Sequence, residues 1–220
     1  MSSTVLEAVK QNQPHKIPLL FSIICQSNKL TLEMLQNAHR ILNCSFNTII
    51  PFSTDRTALH YICINPKVTV EMLKYAKKHH ANFTAKTDIH NTPMHFLCSN
   101  PNISKPILKF CNKLKLSYNT LNMHDQTPLH NLCQNNNTNV ALIKYSLKHN
   151  GSLDSTDAMN MFLMICVHKP LQFDLILLIH DNSTIIQTHI DELEIFMTDE
   201  IKAILSNSII VNESNEYKIY

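Results

Sequence analysis

Three pairs of residues in this sequence could do chemistry, because each combines a histidine with a cysteine three positions later. They are His60 and Cys63, His95 and Cys98, and His130 and Cys133. Imidazole nitrogen and thiolate sulfur are common ligands of structural zinc. A cysteine beside a histidine base is also the basic unit of covalent catalysis. The residue types therefore raise two chemical interpretations, a metal site and a nucleophile.

The arrangement of the pairs argues against zinc. A zinc ion holds its ligand atoms at about 2.0–2.3 Å, whereas neighbouring helices pack about 8–10 Å apart. Three pairs on three helices would make three separate two-ligand sites, each incomplete. We expect structural roles instead: the histidine bonds the local turn and the adjoining unit, and the cysteine fills the core. We predict no metal and no other cofactor; a metal-binding protein stays a third-ranked alternative that elemental analysis would test.

Catalysis is disfavoured on similar grounds. A reactive cysteine needs an accessible, electropositive setting, and these cysteines lie on a face that leucine and isoleucine bury. The chain has a single glycine, so it has no glycine-rich phosphate loop. It also lacks the metalloprotease, serine-hydrolase and EF-hand motifs. We expect that the protein is not an enzyme.

The same pairs belong to a seven-residue pattern that recurs along the chain. It reads TALHYIC at 57–63, TPMHFLC at 92–98 and TPLHNLC at 127–133, with degenerate copies LLFSIIC at 19–25 and NMFLMIC at 160–166. The threonine is a good helix N-cap, and proline suits the first helical position. The apolar residue at the third position and the cysteine lie four residues apart, on one helical face. Each copy therefore predicts the start of a short helix with one buried face.

The TPLH motif, which recurs with a period near 33 residues, resembles the ankyrin repeat, a β-turn followed by two antiparallel helices. The resemblance covers roughly residues 19–182 and is strongest in the three central copies. It implies an all-α fold, an ankyrin-repeat solenoid of about five helix-turn-helix repeats with β-turn fingers and helical caps. Gly151 lies where such repeats usually carry a helix-ending glycine in the left-handed conformation, and elsewhere we expect asparagine, histidine or aspartate to take that position.

The domain organisation follows from the same period. We predict an N-terminal capping helix in 1–16, a C-terminal helical cap in 190–207 and a tail in 208–220. The repeats between the caps span about 17–52, 53–87, 88–122, 123–155 and 156–189. In the three central repeats, inner helices at 57–64, 92–99 and 127–134 pair with outer helices at 68–80, 104–116 and 139–149.

Composition narrows the function classes. The chain has 220 residues, of which 44% are hydrophobic and 16% charged, so it can form a packed core. The net charge of +2, with scattered lysines, gives no electrostatic footprint for nucleic acid. No apolar run has signal-peptide or membrane-spanning length. Five of the seven cysteines occupy one repeated position, which indicates reduced structural thiols. We expect a cytoplasmic monomer without membrane contact, and leave a nuclear location open.

The resemblance also implies where a partner binds. Repeat solenoids usually bind through their concave surface, which the finger tips and the inner-helix residues after the histidine would form. On the inner helices these residues are Tyr61, Ile64, Asn65, Phe96, Ser99, Asn100, Asn131, Gln134 and Asn135. On the fingers they are Arg56, Ile89, Asn91 and Gln126. Ile23, Tyr61, Phe96 and Met164 would form a partly apolar row, and the asparagines and glutamines a polar rim without charge preference.

We therefore expect a non-catalytic protein–protein interaction scaffold or adaptor that binds an unknown protein partner through this surface. Tyr61 and Phe96 are either exposed anchors or ordinary packing residues, and the sequence alone leaves both open. The alternative function is a regulatory or targeting module of a larger enzyme or signalling protein. A tail that packs as an independent strand pair would favour that alternative.

Overall fold

The chain is built from helices, and the described residues contain no β-strand. The computed structural model describes residues 16–154, 158–168, 173–193 and 197–205. The first eight helices are α1 (Ile17–Cys25), α2 (Leu32–Leu42), α3 (Ala58–Ile64), α4 (Val70–Lys78), α5 (Pro93–Ser99), α6 (Lys105–Lys113), α7 (Pro128–Gln134) and α8 (Val140–Leu147). They are followed by α9 (Ala158–His168), α10 (Phe173–Asp181), α11 (Thr184–Thr188), α12 (Ile190–Leu193) and α13 (199–205). The predicted N-terminal capping helix and the tail at 208–220 lie outside the described residues.

The helices pack in two rows. The first helices of successive units (α1, α3, α5, α7 and α9) each contact the next first helix along the chain. The second helices (α2, α4, α6, α8 and α10) do the same in a parallel row. No helix in the described ranges is both long and apolar enough to span a bilayer. The all-α prediction is confirmed for the described part of the chain.

Threonine begins the first helices of the three central units through a modified capping box. The Thr57 N–H donates to Nδ1 of His60 at 3.0 Å, and the threonine side chain in return caps the backbone of the first turn. The same reciprocal bonds join Thr92 to His95 and Thr127 to His130. A histidine thus stands where glutamate or glutamine usually completes a capping box.

Residues other than glycine make the left-handed turns that end the second helices. Asn43, His80, Lys115 and Asn150 have φ angles of 49°, 61°, 56° and 67°. The expectation that Gly151 takes this conformation is wrong, because its φ is not positive. A Cβ on Gly151 would instead lie 2.9 Å from the Ser146 carbonyl oxygen. Glycine is therefore required at 151 by close packing and not by backbone conformation.

The core lies between the two rows and along the first helices. All seven cysteines are buried and unbonded to one another. Burial is the largest cause of a raised pKa at Cys63 and Cys98, and it raises the pKa of Cys111 to about 12. These thiols therefore stay protonated and pack as small apolar side chains. The predicted core face is confirmed.

The second helices are shorter than the periodicity predicts. In the second unit, α4 begins at Val70 because the Thr69 side chain accepts the Met72 N–H at 3.2 Å and caps the helix there. It ends at Lys78 because His80 turns into the left-handed region. The sequence reading also missed α11, whose N-cap is Ser183.

Candidate functional site

Each histidine of the repeated pattern links its own helix start to the next connector. Nε2 of His60 bonds the Ala85 carbonyl at 3.2 Å, and Nε2 of His95 bonds the Gln126 carbonyl at 3.2 Å. Nε2 of His130 lies 3.5 Å from the Leu153 carbonyl. Because Nδ1 accepts a backbone N–H in every case, the proton is on Nε2. The predicted structural role of these histidines is confirmed.

This geometry decides what the histidine–cysteine pairs can do chemically. His60 and His95 are completely buried, and burial is the largest cause that lowers the pKa of each to about 4. Both ring nitrogens of each are already engaged by backbone groups. Within the described ranges, no group of three or more His, Cys, Asp or Glu side chains could hold a metal ion. The pairs at His60 and His95 therefore join neighbouring units and offer neither a free nitrogen lone pair nor a thiolate, and His130 joins its helix to the next connector in the same way.

The prediction that Asn65 and Asn100 belong to an exposed polar rim is wrong. Their side chains are only 3% and 2% exposed. Nδ2 of Asn100 donates to the carbonyls of Cys63 at 2.7 Å and Asn65 at 2.9 Å, both in the preceding unit. Its Oδ1 accepts the Asn102 N–H at 2.8 Å. The side chain thus satisfies carbonyls that the end of α3 leaves unpaired.

The same bonds recur in the neighbouring units. Nδ2 of Asn65 donates to the carbonyls of Cys25 and Ser27, and Nδ2 of Asn135 donates to those of Cys98 and Asn100. Asn135 itself is half-buried. We call Asn65, Asn100 and Asn135 the asparagine ladder. It ties the ends of four consecutive first helices together.

The finger residues Asn91 and Gln126 are also engaged inside the molecule. Oδ1 of Asn91 accepts from Nδ2 of Asn122 at 2.9 Å, and the Gln126 carbonyl accepts from His95. The backbone joins successive fingers as well, with the Met123 N–H bonded to the Ile89 carbonyl at 3.0 Å. Ile89, Asn91 and Gln126, three of the four predicted finger residues, are half-buried, and their contacts fix one finger against the next.

The remaining predicted residues lie on the face of the first helices. Ser99 is exposed, and Tyr61, Ile64, Phe96, Asn131 and Gln134 are half-buried. Between α3 and α5 this face contains a groove of about 390 Å³. Its lining residues are Arg56, Ile64, Phe96, Ser99, Asn100 and Pro101. The structure therefore brings Arg56, Ile64, Phe96 and Ser99 together, as the sequence reading expected.

Arg56 is packed on both aromatic rings. Its Cζ lies 5.3 Å from the centroid of the Phe96 ring and 6.0 Å from that of Tyr61. Phe96 in turn packs edge-on to the His60 ring, with centroids 5.4 Å apart. Tyr61 and Phe96 are thus part packing and part accessible surface. Of the other two members of the predicted apolar row, Ile23 is 56% exposed, and the Met164 side chain lies outside the described residues.

Sequence reasoning missed the most exposed apolar side chain. Phe52 is fully exposed and has a φ of 61°, which is unusual for a bulky residue. Ile49 and Leu121, also unpredicted, are exposed on the connectors before α3 and α7. The one sequence signal for Phe52 was the residue type itself, because an aromatic residue is unexpected in a polar turn. The periodic pattern that located the helices carries no information about such positions.

Comparison of the chain with models of known families and with curated proteins finds no match. The function must therefore be inferred from the chain's own residues. The accessible groups that the helix packing leaves unused are those of the groove and of the neighbouring finger.

Proposed function

We propose that this chain is an ankyrin-type repeat solenoid whose function is non-catalytic recognition of a protein partner. The contact surface is the concave surface, formed by the first helices and the fingers and centred on the groove between α3 and α5. Five copies of the heptapeptide at nearly constant spacing support the solenoid, and so do the two rows of helices. The same proposal holds that the protein is a monomer and that it is located in the cytoplasm.

One observation carries the binding function, the stack of Arg56 on Tyr61 and Phe96 beside an open groove. Arginine and aromatic side chains are the residue types most enriched in interface hot spots. The histidines and ladder asparagines at neighbouring positions are bound to the backbone of adjoining units, but the Arg56 guanidinium is bound to nothing polar in the described chain. A contact site for a partner is the role that best fits the Arg56 guanidinium and the two aromatic rings beside it.

The experiment compares two substitutions by arginine, one in each of the two rows of helices. Ser99→Arg places a bulky cation in the groove, and Ala141→Arg places the same side chain on an exposed position of the second-helix row. Both positions are solvent-accessible, so both variants should retain the helicity and melting temperature of the wild type. Tagged full-length wild type and both variants are used for affinity capture from native lysate, followed by mass spectrometry.

The proposal expects proteins that are captured by wild type and by Ala141→Arg and are lost with Ser99→Arg. Equal capture by all three proteins would contradict it, and so would selective loss with Ala141→Arg. A direct measurement follows once a partner is captured. Its affinity should fall at least tenfold with Ser99→Arg, because a misplaced side chain at the centre of an interface costs about 1.4 kcal/mol or more.

A further inference from the structure

The groove between α3 and α5 contains a single cation. Arg56 is one of only two arginines in the chain, and the positions 35 and 70 residues further on carry Asn91 and Gln126. Its guanidinium is held by two aromatic rings, which leaves the terminal N–H donors for a ligand. Arginine on an aromatic face is a rigid, oriented donor group, unlike a lysine on a flexible stem.

The described chain supplies no acceptor for this guanidinium. Arg56 makes no side-chain hydrogen bond and no ion pair with any described residue, and its Nε is buried without a partner. Buried donors without an acceptor are rare in folded proteins and call for an explanation. The neighbouring acid, Asp55, is exposed on the finger and forms no ion pair with it. Only Nε of the guanidinium is buried, so the two terminal NH2 groups are the donors that a ligand in the groove can reach.

The surroundings favour an anion. The Arg56 guanidinium lies 5.3 Å from the centroid of the Phe96 ring, and that ring packs edge-on to His60. The Arg56 charge contributes, after burial, to the lowered pKa of His60, and no acid among the described residues lines the groove to balance it. The apolar parts of the groove, Ile64 and the ring of Phe96, lie beside the guanidinium.

We propose that the groove receives an acidic side chain of a peptide segment in the protein partner. The carboxylate bonds the Arg56 guanidinium, and a neighbouring apolar side chain of the same segment packs on Phe96 and Ile64. This inference rests on the proposed function and adds a charge preference that the sequence did not indicate. A carboxylate accepts two parallel N–H bonds from a guanidinium. Nucleic acid is disfavoured because it needs several phosphate contacts, and the groove offers one cation.

The test begins with selection of random 12-residue peptides displayed on phage against the full chain. The expected result is enrichment of Asp or Glu beside an apolar residue at a constant spacing. A selected peptide is then synthesised with a fluorescent label, and its affinity is measured by fluorescence polarisation. Arg56→Gln should weaken binding about tenfold or more, as expected for loss of a charge-assisted hydrogen bond. Arg40→Gln, the same change on exposed α2, should alter the affinity less than twofold.

A double-mutant cycle makes the pairing specific. Changing the acidic residue of the peptide to its amide should lower the affinity for the wild-type chain by the same factor as Arg56→Gln does. The same peptide change should not lower the affinity for the Arg56→Gln variant any further. Circular dichroism checks that each variant is folded. If Arg56→Gln does not fold, Arg56→Lys replaces it, and weaker binding is still expected because lysine lacks the planar fork.

The outcomes separate this inference from the proposed function. Peptides without an acidic preference, or equal losses with Arg56→Gln and Arg40→Gln, would overturn the inference while leaving the concave surface in place. Peptides that bind Ser99→Arg as tightly as wild type would overturn the proposed function as well. Competition by a 12-nucleotide single-stranded DNA at physiological salt would show that the groove takes phosphates and not peptide carboxylates.

Discussion

Replacing Asn100 with alanine should destabilise the protein and leave its surface almost unchanged. The side chain is buried and makes three hydrogen bonds, two to carbonyls of the preceding unit and one from the Asn102 N–H. The two bonds to Cys63 and Asn65 cross the boundary between consecutive units. In a repeat protein this boundary contributes directly to total stability. Their loss should therefore weaken the whole helical array.

The magnitude follows from the bonds that are lost. A typical intramolecular hydrogen bond contributes about 1 kcal/mol net, so three bonds correspond to roughly 3 kcal/mol. The buried carbonyls left without a donor raise the cost further. For a chain of this size each 1 kcal/mol lowers the melting temperature by roughly 2–4 °C. We therefore expect Asn100→Ala to melt roughly 6–12 °C below the wild type.

The assays are thermal and urea unfolding, each followed by circular dichroism, with Asn137→Ala as the matched control. Asn137 is exposed, and its side chain makes one bond, to the Pro101 carbonyl at 2.9 Å. Its replacement should cost less than about 1 kcal/mol. If Asn100→Ala cost no more than Asn137→Ala, the structural role of the asparagine ladder would be wrong. Partner binding lost at unchanged stability would instead restore the original rim prediction.

Three further predictions concern single residues of the repeats. Because His60 and His95 have a pKa of about 4 in the folded chain and about 6.5 unfolded, their stabilisation is complete above pH 6.5 and is lost as pH falls toward 4. Urea midpoints should fall across that window, and a slope unchanged in His95→Gln would contradict the assignment. Gly151→Ala should lower the unfolding free energy by about 1–3 kcal/mol through overpacking, since its Cβ would meet the Ser146 carbonyl; an unchanged urea midpoint would refute this. Lys115→Gly should raise the melting temperature, because φ is 56° there and the left-handed region costs other residues about 1–2 kcal/mol; a lower melting temperature would show that Lys115 makes compensating contacts.

The helices and the core could be predicted because they depend on local chemistry. Thr57 and its equivalents cap helices through their own side chains, and the spacing of Leu59 and Cys63 places both on one buried face. The histidine role followed from the same local pattern. Helix capping and the spacing of a buried face need no knowledge of the next unit, although each histidine also bonds a carbonyl there.

The asparagines and Gly151 could not be assigned because their partners are remote in sequence. Asn100 reads as a polar residue at a helix end, and its acceptors lie 37 and 35 residues earlier. Gly151 reads as a turn residue, although its constraint comes partly from the Leu129 side chain, 3.0 Å from the position of a Cβ. Only the stacking of units brings these groups together. The accessible surface is still harder to predict from the sequence, because exposed residues such as Phe52 follow no periodicity.

Comparison among the copies suggests which positions carry function. Positions with the same residue in all three central units, the capping threonine, the histidine, the cysteine and the ladder asparagine, are engaged in internal contacts. At the positions that differ between units the fold does not require one residue type, since it accepts Arg56, Asn91 and Gln126 at one register. The same holds for Tyr61, Phe96 and Asn131 at the position after the histidine. The groove between α3 and α5 is where one such variable position supplies a cation and the other supplies the two aromatic rings beneath it. A binding site that distinguishes one partner from another needs such non-repeated side chains, because identical units would present identical surfaces.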